Sequence, residues 1–325
     1  MSLSAVALIL VAAVAHAAWN LCSKQASAVS AAGFVWLLAL LAGILYAPVI
    51  AVDLIAAHPH LTALNWWFMA GTGVLQTGYF VFLQHGYRLG DLSVVYPIGR
   101  GSGALLSALA GIVLLGERPG PLGIAGIVCL VAGVIVLGLP EPRRDPPPAD
   151  QAVPAAAPVS APPAAPAPAG PAPAPLPPPA SVRPAARLAV GLALGVGVFI
   201  AAYTLWDKHA VSTLHTPALL QGYAAFPAMI VGLAPSAWRD RAGMRVVWRS
   251  YRIQLWVAAV LAPLAYILVL TALAFSSVAA IAPAREVSVL FGVILGGKLL
   301  GEGSLARRLA AAAAVVAGII AIAIG

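Results

Sequence analysis

Charged residues make up only 9% of the 325, against 62% hydrophobic. A soluble domain carries roughly a quarter of its residues as charges to cover its surface, so a water-exposed globule is excluded. Cysteine is nearly missing. Cys22 and Cys129 both sit inside apolar runs, which implies no disulfide framework and leaves the redox compartment unread. The chain has no Walker loop, no HExxH and no Cys/His cluster, so neither ATP hydrolysis nor metal catalysis has a foundation and no cofactor or metal is expected. Segments of about ten residues with alternating polarity are also absent, which excludes a membrane β-barrel. Residues 1–18 end in Ala15-His16-Ala17 like a signal-peptide cleavage site, yet no Lys or Arg precedes Lys24. Without a basic leading region, the segment is expected to be retained.

What the chain has instead is apolar runs of about 18 to 24 residues, the length a helix needs to cross about 30 Å of hydrocarbon. Mean hydropathy is +0.96. Ten spans are expected, at roughly 3–22, 33–52, 65–86, 92–115, 121–139, 188–207, 216–235, 253–274, 277–299 and 305–325. Trp66, Trp67, Trp206, Trp238, Trp248 and Trp256 lie near span ends, where an interfacial aromatic belt belongs. The formal charge of +8 would suggest nucleic acid in a soluble protein. Here most of it lies in loops and one linker, where membrane orientation explains it, and no nucleic-acid partner is expected. The expectation is an all-α polytopic protein of the plasma (inner) membrane, surrounded by lipid.

Residues 140–186 break the pattern with runs such as Leu176-Pro177-Pro178-Pro179. Proline lacks the backbone donor a helix requires, so this stretch reads as a disordered Pro/Ala linker between two units, 1–139 and 187–325. The units resemble each other. Gly116-Glu117 and Gly301-Glu302 are 185 residues apart, and the same offset carries Arg100 onto Arg285 and Gly133 onto Gly318. Trp19-Asn20 and Trp206-Asp207 are 187 apart, which sets His16 opposite Tyr203. Five spans per unit is an odd number, so the second copy enters the membrane from the opposite side. Ten helices as two inverted five-helix repeats is a recurring plan of secondary transporters, with the site between the repeats near the midplane.

Several stretches resemble the EamA-type branch of the drug/metabolite transporter superfamily. They are His16-Ala17-Ala18-Trp19-Asn20 with Lys24, Gly90 to Ile98, Leu115-Gly116-Glu117-Arg118 with Gly123 and Gly126, Ser276-Ser277-Val278-Ala279, and Leu300-Gly301-Glu302. The resemblance covers both units and implies a ten-helix carrier of amino acids, sugars, nucleotide-linked metabolites or drugs, without a cofactor. Tyr203 to Asp207 and the stretch from Tyr96-Pro97 to Arg100-Gly101 also look like a subgroup associated with phosphonate utilisation.

A charge at the bilayer centre costs about 2.5–3.5 kcal/mol on insertion scales, so it persists only with a partner or a wet cavity. Arg100 and Arg285 are repeat-equivalent, and each follows a proline (Pro97, Pro283) that frees helix carbonyls. Two guanidinium groups favour a carboxylate or phosphonate held bidentately. The plainer alternative has Arg285 paired with Glu286 or Asp207, locking the bundle. His16, Asn20 and Lys24 form one stripe on the first span; Tyr203, Asp207 and Lys208 form its counterpart on the sixth. His16 or Asp207 is a candidate proton relay, against the alternative of a hydrogen-bonded interior residue. Gln76, Tyr79, Gln84, Tyr96 and Tyr266 are candidates for the cavity wall, or for interhelical hydrogen bonds. Glu117 and Glu302 are expected to cap the helix that follows each, or to pair with a nearby arginine.

Two orientation arguments oppose each other. Arginines in the linker (Arg143, Arg144, Arg183, Arg187), at 239–252 and at Arg307-Arg308 make that side cytoplasmic and both termini external. The family resemblance implies cytoplasmic termini. The function read from these residues is a cofactor-free carrier of a small anionic or zwitterionic metabolite, with Arg100 and Arg285 as anchors. Its rivals are a cation exporter using Asp207 or Glu286, a lipid enzyme built on Asp207-Lys208-His209, and a scaffold acting through the linker. Deletion of 145–180 is expected to leave transport intact, as measured by uptake into vesicles; a scaffold would fail.

Overall fold

The computed structural model describes residues 2–89, 92–138 and 182–288, with scattered positions from 310 to 324. Among them regular structure is helical throughout, and no strand occurs. The helices are α1 (Leu3–Ala57), α2 (Ala63–Leu89), α3 (Leu92–Leu114), α4 (Pro121–Gly138), α5 (Val182–Ser212), α6 (Ala218–Tyr223), α7 (Ala225–Arg239), α8 (Arg241–Ser250), α9 (Arg252–Phe275) and α10 (Val278–Ala284). Among the described residues, five stretches are long and apolar enough to cross a membrane: Leu3–Ser23, Val29–Ala57, Arg187–Ser212, Ala218–Arg239 and Arg252–Phe275. Ile98–Leu114 and Pro121–Gly133 are shorter apolar helices. α2 has 27 residues, but polar groups such as Asn65, Thr72 and Gln76 interrupt its apolar run.

The first two expected spans share one helix. At 55 residues α1 would run about 80 Å if straight, far beyond the hydrocarbon thickness. Ser30 breaks it, with φ −154° and ψ 98°. Its hydroxyl accepts the Gly33 N–H at 3.1 Å, so Ser30 acts as the N-cap of the second span. Beyond the seventh span, where the sequence reads as a loop, the chain forms α8, which packs against α1.

The close packing joins elements from either side of the linker: α1 with α9, α3 with α5, α2 with α5 and α7, and α3 with α10. Neither unit keeps its apolar faces to itself. On α3, a methyl at Gly103 would lie 2.8 Å from the Ile200 Cβ of α5, so glycine sets how closely these helices approach.

Two charged caps cross between the units. Gly116 adopts φ +67° and turns the chain after α3. Glu117 then accepts the backbone N–H groups of Val278 and Ala279, each at 2.7 Å. It therefore caps α10, not the following helix as the sequence suggests, because the turn aims it across the unit boundary. Glu302 lies outside the described residues. Lys208 donates to the Leu273 and Ser276 carbonyls, each at 2.8 Å, and so caps the C-terminus of α9 instead of joining the stripe of Tyr203 and Asp207. The joint between α9 and α10 is thus held from α5 and from the loop after α3. Glu117→Ala is expected to cost about 2 kcal/mol by removing two backbone partners, read as a lowered Tm of the purified protein.

Candidate functional site

Helices from both sides of residues 140–186 leave a cavity of about 120 Å³ between them. Seven of the expected site residues line it: His16 from α1, Gln76 and Tyr79 from α2, Arg100 from α3, Tyr203 from α5, Tyr266 from α9, and Arg285 just past α10. Val35, Leu38, Phe80, Phe226 and Met229 contribute an apolar part of the lining. Arg100, Arg285 and three tyrosines contribute its cationic and hydroxyl groups.

Arg100 and Arg285 are 5% and 7% exposed, and between them lies Glu286 at 1%. Arg100 Nε donates to Glu286 Oε2 at 3.0 Å. Arg285 Nε stands 3.6 Å from Glu286 Oε1. Burying a charge in low dielectric requires a partner, and one carboxylate here serves two guanidinium groups. Arg285 Nη2 is buried without a hydrogen-bond partner, and its guanidinium lies 5.8 Å above the centre of the Tyr203 ring. The sequence offered Glu286 as a partner for Arg285; the geometry makes it a shared partner of both arginines.

Tyr203 stands between two other tyrosines, edge to face, with ring centres 6.1 Å from Tyr79 and 6.2 Å from Tyr266. Tyr266 connects the cavity to Asp207, which is fully buried behind it. Tyr266 Oη donates to Asp207 Oδ2, while Asp207 Oδ1 accepts from Thr72 and, at 2.9 Å, from Gln221 Nε2. Three donors on one carboxylate make a closed polar knot, and Asp207 is not part of the cavity wall. His16 Nδ1 accepts from Trp19 Nε1 at 3.2 Å, which leaves Nε2 as the ring's donor. Asn20 turns back on its own helix, donating to the His16 carbonyl at 2.7 Å, and does not reach the cavity. The side chains of Lys24, Gln84 and Tyr96 lie outside the described residues.

Sequence reasoning passed over Thr72 and Gln221, the partners of Asp207, and Trp19, the partner of His16. Each carried a signal: a hydroxyl or amide in mid-span needs a buried partner, and Trp19 follows His16 by three residues on one helix face. Tyr266→Phe removes a donor from the buried Asp207 and is expected to cost about 1–3 kcal/mol. Thermal unfolding of the purified variant measures it, and Tyr79→Phe serves as the comparison.

Residues 3–139 match the model of the EamA-like transporter family. The multidrug resistance protein EbrB of Bacillus subtilis (strain 168) is 37% identical over 71 residues, 22% of this chain. The chain spans 61% of that relative's length. Among solved structures, one crystal structure of a protein superposes with a TM-score of 0.68 over 99% of this chain and 96% of its own, at 16% identity, a likeness of fold alone. With apolar helices long enough to cross the bilayer, the chain is an integral, multi-pass membrane protein, and its residues 3–139 are similar to the EamA-like transporter family.

Proposed function

We propose that the protein is a secondary carrier of small anionic or zwitterionic metabolites, amino acids or phosphonates among them, working by alternating access. In this reading the units 1–139 and 187–325 are inverted five-helix repeats, and 140–186 is a passive tether. The observation that carries it is the meeting of Arg100 and Arg285, one from each unit, around the single carboxylate of Glu286. An incoming carboxylate or phosphonate gives the buried Nη2 of Arg285 an acceptor. The tyrosines and Gln76 orient the remainder of the molecule, and the apolar part of the lining accepts its body. A carrier must release what it binds, and the pairing with Glu286 keeps the site from holding an anion too tightly. The chemistry needs no group beyond the side chains, so an enzymatic role is not proposed.

A cation or multidrug exporter is the second reading, suggested by the likeness to EbrB. Its counter-charge would have to be Asp207 or Glu286. The first already accepts three hydrogen bonds and the second faces two arginines, so an organic cation would meet repulsion before it met a free acid.

Counterflow in proteoliposomes with labelled amino acids, phosphonates and organic cations separates the two. Anion or zwitterion exchange is expected in the wild type, with at least a tenfold loss in Arg100→Gln while Arg100→Lys retains part of it. Cation exchange that survives Arg100→Gln would overturn the paired-arginine site.

A further inference from the structure

Away from the cavity, the densest positive charge lies on α8, between the membrane-crossing helices α7 and α9. Asp240 caps this helix, its carboxylate accepting the Gly243 N–H at 3.3 Å. Val247 is fully buried and Met244 packs beside it, in the core built on the second span of α1. On the other side Arg241, Arg245 and Arg249 are exposed at four-residue spacing, which aligns them in one stripe. Arg239 and Arg252, also exposed, flank its ends. Among the described residues none of these five arginines forms a salt bridge. Trp238 and Trp248 stand beside the stripe, 68% and 45% exposed.

On a soluble protein such a face would be an ordinary solvated one. Here α7 ends at Arg239 and α9 begins at Arg252, so α8 is the turn between two crossings and lies at the bilayer surface. At that depth phosphates are plentiful and indole rings are at home. We propose that the arginine stripe of α8 is a binding site for the headgroups of anionic phospholipids. Guanidinium groups chelate phosphate oxygens bidentately, and three in a row match a row of headgroups, with Asp240 at the N-cap the one acid among residues 239–252. A zwitterionic headgroup brings its own ammonium, which offsets the attraction. Because α8 rests on α1, with Met244 against Gly33 beside the Ser30 break, bound lipid also steadies the joint between the first two spans.

The test uses the full chain in detergent, titrated with phosphatidylglycerol or phosphatidylcholine while Tm is followed. Each arginine near an anionic surface contributes about fivefold in affinity, so a stripe of three gives on the order of a hundredfold. The wild type is expected to gain Tm at phosphatidylglycerol concentrations about a hundredfold below those needed with phosphatidylcholine. Combined Arg241→Gln, Arg245→Gln and Arg249→Gln should erase that preference, and the corresponding Lys variants should retain most of it. Arg245→Gln alone, expected to lose about fivefold, covers the case in which the triple variant does not fold. A preference unchanged in the Gln variants, or equal response to both lipids in the wild type, overturns the site.

Discussion

Burying two guanidinium groups against one carboxylate is the constraint around which this membrane protein is arranged. Arg100 comes from α3 and Arg285 from the segment after α10, so Glu286 can face both only if the two halves are packed into one body. In low dielectric an unpaired ion costs several kcal/mol, so these charges persist only where the surrounding helices hold them against one another. In the proposed function, the buried Nη2 of Arg285 is where an anion would find a donor. Structural need and proposed chemistry meet in these three residues.

Holding that geometry falls to features at helix ends and crossings. Gly103 brings α3 close to α5, and so sets how near Arg100 comes to the second unit. Glu117 and Lys208 satisfy the open ends of α10 and α9 with opposite charges, each opposite in sign to the helix-dipole end it meets. The result is a joint between α9 and α10 fastened from two directions, a few residues before Arg285. Behind the cavity wall, Asp207 is bound by Thr72, Gln221 and Tyr266, which ties α2, α5, α6 and α9 together with one carboxylate. This arrangement separates two kinds of buried acid: Asp207, saturated with neutral donors, and Glu286, shared between cations.

The apolar side of the protein follows simpler rules. Alanine- and leucine-rich faces from α1, α7 and α9 form one core, and those from the first span, α9 and α10 form another. α8 seats its apolar residues in the first of these and turns its arginines outward, so the same helix closes the core and meets the bilayer surface.

The sequence by itself determined the class of protein and the location of the five stretches long and apolar enough to cross, because the cost of exposing polar backbone to hydrocarbon forces long apolar helices that composition alone reveals. It also singled out Arg100 and Arg285, since a charge inside an apolar run and its recurrence at a fixed offset are local facts. Only the tertiary structure decided that Ser30 interrupts a continuous helix, that Glu117 caps a helix 161 residues away, and that 241–250 is helical. It alone decided that Asn20 bonds to its own helix while Trp19 orients His16. These outcomes depend on which groups meet after folding. A hydrogen bond or ion pair belongs to two residues, and the sequence names both without saying that they will touch.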